Sequence, residues 1–228
     1  EHLHLKAPVS SLVLEGRSIS LRSGNTDRVF DRVIMAMPPR LIEHTVTFSP
    51  AMSDKLARRW RETATWMAPH AKFLAVYDRP FWRDHGLSGS AQSQIGPLGE
   101  IHDASTVDGQ AALFGFVGIP AAQRRDPARL QSAALAQLTQ IFGPAASHPK
   151  AVLFKDWAAD PLTATTRDQS AGGHPAGGPQ TWVDGEWQDR LWLAGSETAE
   201  EAPGYLAGAI EAGHRAARAV LTRLGTKA

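Results

Sequence analysis

The sequence predicts a mixed α/β fold, of the α+β kind in which strands and helices do not simply alternate along the chain. Several short segments either alternate apolar and polar residues or form brief apolar runs, which is typical of strands. One longer segment, 127–142, has apolar residues at helical spacing between a capping residue and a glycine-proline stop. Hydrophobic residues form 43% and charged residues 21% of the 228 residues, as in an ordinary globular protein.

The N-terminal part of the chain is predicted to form strands followed by a helix. The segment VSSLVLEGRSISLRS alternates on both sides of Gly16, which predicts a hairpin. An apolar run predicts a strand over 33–37 that two prolines end. A helix is predicted after the capping residue Ser53, with Leu56 and Trp60 on one face.

The middle of the chain adds strands and the clearest helix. Short apolar runs predict three further strands, over 71–77, 111–118 and 151–157. The helix has Asp126 as its cap and Pro127 at its first position, and Gly143 ends it. A long irregular stretch, 158–185, follows the last of these strands, and connections of this length are usually functional or disordered.

Composition excludes several classes of function. The formal net charge of +1 gives no reason to expect binding to nucleic acid or to an acidic membrane. The chain has no cysteine, which excludes disulfides and thiolate catalysis and leaves the redox compartment undecided. Its nine histidines form no H-E-x-x-H or similar set, so we predict no metal site. No apolar run reaches the roughly 20 residues of a membrane span, and we expect a cytoplasmic protein.

The C-terminal segment combines a strand, a turn and a helix in an arrangement suited to ligand binding. We predict a strand over 191–194, a turn over 195–198 and a helix that begins near Leu206. Ligands of open α/β sheets bind at the carboxyl ends of strands, and a helix N-terminus favours negative charge. Gly204 and Gly208 would leave no side chain between this helix end and a ligand.

The same helix carries many small residues, which we expect to let it lie close to a sheet. The predicted buried face consists of Ala209, Gly213 and Ala216, with added apolar contact from Ile210, Ala217, Val220 and Leu221. The alternative is an ordinary packing helix at the end of an α/β domain, and the pattern alone favours that alternative.

The segment LAGSETAEEAPGYLAGAIEAGHRAARAVL resembles the C-terminal flavin-binding segment of the flavin-dependent amine oxidases, the monoamine and polyamine oxidase family. Members of that family carry a strand, a Gly-Ser/Thr-Glu turn, a Gly-Tyr step and a Glu-Ala/Ser-Gly helix at this spacing. The segments APVSSL, RVIMAMPPRLI, AKFLAVYDRPFWR and FKDWAADPLTATTRDQSAGG resemble other parts of the family in the same order. The resemblance therefore implies an FAD-binding, amine-oxidase-like fold over nearly the whole chain.

One part of the family pattern is missing. The family begins with a strand, a G-x-G-x-x-G loop and a helix, yet no G-x-G-x-x-G occurs here and no space for a βαβ unit precedes Val9. The chain therefore resembles a C-terminal half that lacks the N-terminal Rossmann unit. A split or processed enzyme, a truncated reading frame and a remnant with another role remain as explanations, and the Glu1 start favours a cut or incomplete chain.

The resemblance also implies a domain organisation. It assigns 1–62 to the FAD domain, 63–155 to a part of the substrate domain with a β-sheet and helices, and 156–228 to the C-terminal part of the FAD domain.

The cofactor implied by the resemblance is FAD. The positions that match its binding segments are Val9, Gly195, Ser196, Glu197, Gly204, Tyr205, Leu206 and Ala209. By resemblance, Glu197 would accept hydrogen bonds from the backbone of the missing glycine loop. The alternative is that Glu197 is an acidic residue that only helps to form the turn. His174 lies where monoamine oxidases place a flavin-linking cysteine, so a thioether link is impossible, a histidyl link stays open and non-covalent binding is favoured. The alternative for His174 is an exposed loop histidine.

Three residues have implied catalytic roles. Lys72 matches the lysine that holds a water near flavin and assists the reaction with oxygen, and its alternative is a solvent-facing lysine on an edge strand. Trp157 matches a residue that packs on the flavin ring, and a core tryptophan is its alternative. Tyr205 matches an aromatic residue beside the substrate amine. The second aromatic should follow Gly173, but His174-Pro175 stands there, which argues against a two-ring cage.

The resemblance thus implies FAD-dependent oxidation of an amine to an imine by hydride transfer, with oxygen reduced to hydrogen peroxide. Its partners would be a small-molecule amine and a separate chain or missing half that carries G-x-G-x-x-G, with no nucleic acid and no membrane span. The alternative is a non-catalytic fragment or partner-binding subunit that binds no flavin alone. An unrelated α/β hydrolase is a weaker interpretation, because no G-x-S-x-G is present.

Overall fold

The structure is a computed structural model that describes residues 3–170 and 172–225. Its strands are β1 (Val9–Glu15), β2 (Ser18–Ser23), β3 (Thr26–Phe30), β4 (Val33–Met35), β5 (Thr47–Ser49), β6 (Ala71–Tyr77), β7 (Ala91–Gln92), β8 (Leu98–Asp103), β9 (Ala111–Val117), β10 (Ala151–Asp156) and β11 (Leu191–Leu193). Its α-helices are α1 (Pro39–Thr45), α2 (Asp54–Glu62), α3 (Pro127–Phe142) and α4 (Leu206–Arg223). The prediction of a mixed α/β fold is confirmed.

The chain folds as two compact units. The first unit is formed by the chain up to Trp66 together with the chain from Gly172 onward, and the second by the segment that begins at Met67. These limits differ from the predicted domain limits after residues 62 and 155. The residues just after β10 belong to the second unit because the backbone N–H of Trp157 donates to the carbonyl of His70, at 3.0 Å.

The first unit contains a four-stranded sheet in the order β3-β2-β1-β5. The predicted hairpin is confirmed, since β1 and β2 pair antiparallel and Gly16 turns the chain with φ of 62°. Strand β3 was not predicted, because its sequence TDRVF is largely polar and mostly exposed. Helix α1 was not predicted either, because a Pro-Pro pair indicates the end of a strand, although proline is also favoured at the first helical position.

A second sheet of the first unit is a parallel pair formed by β4 and β11. Leu191 lies opposite Val33, and Leu193 lies opposite Met35. Beside it, α2 begins at the predicted cap, where the Ser53 hydroxyl accepts from the Leu56 N–H, and Trp60 is buried as expected. One apolar core joins these elements, and its fully buried members include Leu12, Ile19, Ile42, Trp60 and Trp187.

The second unit is a five-stranded antiparallel sheet in the order β10-β6-β9-β8-β7, with α3 against it. Side chains of β6 alternate between buried and half-buried, so that Phe73 and Tyr77 belong to the core while Lys72 lies on the other face. The predicted capping of α3 is confirmed, because the Asp126 carboxylate accepts from the Arg129 N–H at 3.0 Å.

The face that α4 buries differs from the predicted one. Its buried residues are Gly208, Ala212 and Ala216, whereas Ala209 and Ala217 are exposed and Gly213 has open space around it. The larger apolar side chains lie outward, and the exposed fractions are 88% for Leu206, 62% for Ile210 and 37% for Leu221. The prediction of the buried face was therefore wrong except at Ala216 and at the half-buried Gly213 and Val220. The smallest side chains pack inward because the turn before the helix lies against them.

None of the helices within the described residues is both long and apolar enough to cross a membrane.

Candidate functional site

The turn after β11 is held tightly against the end of β4. A β-carbon at Gly195 would lie 2.5 Å from the carbonyl oxygen of Met37, so only glycine permits this approach. The Thr198 hydroxyl donates to the Gly195 carbonyl at 2.8 Å and closes the turn. Both residues lie beyond the carboxyl ends of a parallel strand pair, the place where ligands of α/β sheets bind.

The Gly204-Tyr205 step brings the chain from this turn to the start of α4. Gly204 has φ of 79°, a left-handed conformation that favours glycine, and its N–H donates to the Ser196 carbonyl at 3.1 Å. Tyr205 occupies the N-cap position, and no side chain caps the helix there. The first N–H groups of this 18-residue helix therefore lack intrahelical acceptors, and the helix dipole makes the end electropositive.

Gly208 has a different role from the predicted one. A β-carbon there would overlap the carbonyl oxygen of Ala202 and lie 2.8 Å from its carbonyl carbon. The missing side chain thus makes room for the turn that precedes the helix and not for a ligand.

Two side chains of α4 reach back to hold this turn. The Glu211 carboxylate accepts from the backbone N–H groups of Glu200 and Glu201, at 2.7 and 3.3 Å. The Arg215 guanidinium donates to the Thr198 carbonyl at 2.7 Å and to the Leu193 carbonyl at 3.2 Å. Hydrogen bonding from the Glu200 N–H, followed by that from Glu201 and Ala202, lowers the pKa of Glu211 although desolvation opposes the change. Glu211 and Arg215 lie four residues apart in the sequence. This spacing was the signal that could have identified them, and the sequence analysis missed both.

A cavity of about 360 Å³ opens beside the turn within the first unit. Glu197, only 4% exposed, contributes to its lining. The lining also includes Arg59, Glu62, His174 and Trp182.

An aromatic cluster lies next to this cavity. The ring centroids of Trp66 and His174 are 4.6 Å apart, those of Trp66 and Tyr205 are 5.1 Å apart, and those of His174 and Tyr205 are 5.0 Å apart. His174 is exposed, and its Nδ1 lies 3.1 Å from the Pro175 carbonyl. Sequence reasoning missed Trp66, because the three residues are far apart along the chain.

Lys72 belongs to the second unit, on the sheet face opposite α3. Its ammonium lies 5.4 Å from the ring centroid of Phe116 and 5.8 Å from that of Phe114. A second cavity of about 360 Å³ lies on this face of the sheet, and its lining includes Lys72, Phe114, Leu153 and Lys155. Lys72 is half-buried and lies on an internal strand of the sheet, so it is not the edge-strand lysine of the alternative interpretation.

Trp157 also belongs to the second unit and begins a short 3-10 turn directly after β10. The Lys155 ammonium lies 4.7 Å from the centroid of its ring. The side chain is half-buried and is not among the fully buried core residues of the described chain.

The remaining predicted site residues lie in the first unit. Val9 begins β1 on the four-stranded sheet and packs against the core. Leu206 and Ala209 lie exposed on the first turns of α4. The structure thus brings Gly195, Ser196, Glu197, Gly204 and Tyr205 into one turn.

No group of three or more histidine, aspartate or glutamate side chains in residues 3–170 and 172–225 is placed to hold a metal ion.

The sequence profile of the family described as flavin containing amine oxidoreductase matches residues 1–221. The chain belongs to this family. Among its relatives, a probable flavin-containing monoamine oxidase A of Dictyostelium discoideum is 28% identical, over 98% of this chain and 49% of the relative. A putative flavin-containing monoamine oxidase of Mycobacterium tuberculosis is 30% identical, over 96% of this chain and 48% of the relative. This flavin amine oxidoreductase chain therefore spans about half the length of the curated relatives it matches.

Solved structures support the same fold. Cyclohexylamine oxidase from Brevibacterium oxydans superposes with a TM-score of 0.75 at 23% identity, over 97% of this flavin amine oxidoreductase chain and 49% of that structure. Putrescine oxidase superposes with a TM-score of 0.68 at 22% identity, over 95% and 48% respectively. The predicted family and the amine-oxidase-like fold are confirmed.

Proposed function

We propose that this chain is the C-terminal half of an FAD-dependent amine oxidase. The observation that carries the proposal is the uncapped N-terminus of α4, which follows a turn beyond the parallel strands β4 and β11 in a member of the flavin amine oxidoreductase family. Such a helix end binds electron-rich or anionic groups, which suits a dinucleotide cofactor.

The residues present fit FAD. No side chain caps the first N–H groups of α4, and Gly204 in its left-handed conformation leads the chain directly to them, so this helix end offers a binding surface for an electron-rich group. We assign Ser196, Glu197 and Tyr205 to the same binding surface, and Val9, Leu206 and Ala209 to its margins. We favour non-covalent binding, because the chain has no cysteine for a thioether link; a histidyl link through His174 is the alternative that the resemblance leaves open.

When bound, FAD supplies the acceptor for a hydride from the α-carbon of a neutral amine. Loss of the hydride would leave an iminium cation, which would release an N–H proton to give the imine, and water would hydrolyse the imine to a carbonyl compound and ammonia. Oxygen would take up the two electrons of the reduced cofactor together with two protons and leave as hydrogen peroxide. The tasks of this chain are to orient the amine at Tyr205, to stabilise negative charge at the α4 N-terminus and to exclude bulk water.

We assign Lys72 to the reaction with oxygen. Its ammonium lies over the Phe114 and Phe116 rings, and cation–π attraction holds it there. A fixed cation of this kind stabilises the negative charge that oxygen acquires during reduction and can hold a water molecule. We assign Trp157 to packing against the cofactor ring, which its half-buried position permits.

The proposal includes a partner that carries the G-x-G-x-x-G unit. Parallel sheets are normally covered on both faces and extend over several strands, whereas β4 and β11 form a pair of three residues each. The exposed apolar side chains of α4 also suit an interface. These same observations favour the second candidate function, a partner-binding subunit that takes up no flavin alone.

The first experiment is a visible absorption spectrum of the purified chain with an intact-mass measurement of the same sample. A flavin spectrum together with a second polypeptide, bleached anaerobically by an amine, is the expected result. A flavin spectrum from this chain alone would show that the G-x-G-x-x-G unit is dispensable. A colourless, folded, single chain would overturn the enzymatic proposal for this polypeptide and leave the partner-binding function.

A further inference from the structure

His70 lies directly before β6, the strand that carries Lys72. Side chains alternate along an extended chain, so residues 70 and 72 project from the same side. Both side chains approach Phe116: the His70 ring centroid lies 6.0 Å from the centroid of that ring, and the Lys72 ammonium lies 5.4 Å from it. His70 and Lys72 are therefore neighbours on the sheet face opposite α3.

Hydrogen bonds fix the backbone of His70 on both sides. Its N–H donates to the Met67 carbonyl at 3.1 Å, and its carbonyl accepts from the Trp157 N–H at 3.0 Å. The second bond continues the pairing of β6 with β10, in which Asp156 lies opposite Ala71. His70 is thus joined through the backbone to the short turn that begins at Trp157, and its place does not depend on ring contact alone.

The charged groups near His70 lie on its own strand and on the elements packed beside it. They are Lys72 on β6, Arg124 after β9, Lys155 and Asp156 on β10, and Glu100 on β8. The Arg124 side chain is only 5% exposed, and its guanidinium donates to the Asp156 carboxylate at 3.0 Å. The Lys155 ammonium donates to the Asp160 carboxylate, which leaves Lys72 as the cation on this face without a carboxylate partner among the described residues.

The His70 imidazole is free to change its protonation state. His70 is half-buried, and its Nδ1 is buried and forms no hydrogen bond within residues 3–170 and 172–225. Burial lowers the pKa of His70, and the positive charges of Arg124 and Lys72 lower it further, although an interaction with the Met67 backbone opposes them. The ring is therefore neutral at pH 7, and the neighbouring charges control its affinity for a proton.

We propose that His70 is a proton relay for the reduction of oxygen at Lys72. The inference rests on the proposed function and adds a residue to the site of that reaction. Of the two protons in hydrogen peroxide, one can arrive with the two electrons of the anionic reduced cofactor, and the other has to come through the protein or from solvent. Lys72 has to keep its own proton, because its positive charge stabilises the negative charge on oxygen.

The arrangement couples proton uptake by His70 to the charge beside Lys72. Without an anion there, the positive charges of Lys72 and Arg124 keep His70 neutral. A negative charge on oxygen offsets the Lys72 ammonium and favours the protonated imidazole. His70 then takes a proton from solvent, gives it to the hydroperoxide anion and returns to the neutral form. Hydrogen peroxide leaves, and Lys72 keeps its charge throughout.

NMR titration of the histidine ring protons in the purified chain tests this coupling without flavin. Loss of a signal in His70→Gln identifies the His70 resonance. In Lys72→Met the pKa of His70 should rise, because a neighbouring positive charge has been removed. Lys150→Met is the matched control, since that ammonium pairs with Asp78 on the surface and its variant should leave the His70 titration unchanged. An identical His70 titration in the unchanged chain and in Lys72→Met would overturn the relay.

Stopped-flow kinetics of the complete oxidase test the proton transfer itself. In His70→Gln the reaction of the reduced enzyme with oxygen should slow about 100-fold and lose its pH dependence near the His70 pKa, while reduction by the amine changes little. Added imidazole should recover part of the rate in His70→Ala, which a purely structural role of His70 does not predict. His148→Gln, at an exposed position of the same unit, is the control.

The outcomes separate this inference from the proposed function. An active flavin oxidase whose reaction with oxygen keeps its rate and pH profile in His70→Gln would overturn the relay alone. A complete protein with neither flavin nor amine oxidation would refute the proposed function, and the relay with it. If His70→Ala does not fold, the pH profile and the solvent isotope effect of His70→Gln decide in its place.

Discussion

Within the second unit, the side chain of Asp103 accepts hydrogen bonds from several parts of the chain. Its carboxylate accepts from the Trp82 indole N–H at 2.8 Å, from the Arg83 guanidinium at 2.7 Å and from the Ser105 backbone N–H at 2.8 Å. Desolvation raises its pKa, but the hydrogen bonds from Ser105, Trp82 and Arg83 outweigh this and lower the pKa to about 2.

We expect Asp103→Ala to lower the free energy of unfolding by about 1–3 kcal/mol, because the fully buried Trp82 indole loses its acceptor. Since the folded pKa lies below the unfolded value of about 3.9, the carboxylate stabilises the fold above that pH, and the contribution disappears as pH falls through about 2. Urea unfolding between pH 7 and pH 2 measures both effects. Asp108→Ala, at an exposed position, is the control and should change stability by less than about 0.5 kcal/mol.

Lys72 carries the prediction about catalysis. With the complete oxidase, Lys72→Met should slow the reaction of the reduced enzyme with oxygen roughly 100-fold, the scale expected when a charge-stabilising group is removed. Reduction by the amine should change little. Stopped-flow absorbance separates the two half-reactions, and Lys150→Met, whose ammonium pairs with Asp78 on the surface, serves as the control. Equal slowing of both half-reactions would contradict an oxygen-specific role.

At this scale the sequence revealed some site residues and concealed others. The strand pattern around Lys72 and the Gly204-Tyr205 step were readable because their neighbours in the chain carry the signal. Trp66 was not readable, since its ring partners lie more than a hundred residues away and only folding brings them within about 5 Å. Gly208 was misread because sequence does not tell whether a missing side chain makes room for ligand or for backbone.

Two glycines of α4 make a matched pair for testing how the helix packs. Gly208→Ala should lower the free energy of unfolding by about 1–3 kcal/mol, because its β-carbon would overlap the Ala202 carbonyl and displace the turn. Gly213→Ala meets no atom within 4 Å and should stabilise the helix by roughly 0.5–1 kcal/mol. Thermal or urea unfolding of the two variants measures the difference. Equal effects would contradict the close approach of turn and helix.

Because the Glu211 carboxylate holds this turn, we expect the free energy of unfolding to depend on pH through the ionisation of Glu211. Its folded pKa is lowered by the Glu200, Glu201 and Ala202 N–H groups, so its stabilising effect is present above the unfolded pKa of about 4.3 and is lost as pH falls through the folded value. Glu211→Gln should weaken the pH dependence of unfolding in this acidic range. Titration of the carboxyl resonance by NMR gives the pKa directly, and an unshifted value would contradict the anchoring.

Elements with a strong local signal were predictable and others were not. The caps and spacing of α2 and α3, and the apolar run of β6, matched the structure closely. Strand β3 was missed because a polar, exposed strand depends on its partner β2 for its hydrogen bonds and not on its own pattern. The orientation of α4 was predicted wrongly because apolar side chains were assigned to the inside, whereas this helix buries its smallest residues.

For the whole chain, the exposed side of α4 is the feature with measurable consequences. Leu206, Ile210 and Leu221 give it an apolar stripe. We expect the isolated chain to bind a hydrophobic dye and to self-associate at high concentration, and Ile210→Glu to reduce both while changing stability by less than about 0.5 kcal/mol. Sedimentation velocity measures the association. Ala207→Glu, also exposed on α4, is the control for added charge, and undiminished association in Ile210→Glu would exclude the stripe as its cause.

The first unit is assembled from two segments separated by the whole second unit. During synthesis, the second unit has all of its residues available as soon as it leaves the ribosome. The first unit must wait, because β4 finds its neighbour β11 only after the intervening chain has been made. The strand edge of β4 and the N-terminal part of the core are therefore held open during that interval, so this chain depends on rapid completion or on chaperone protection to escape aggregation.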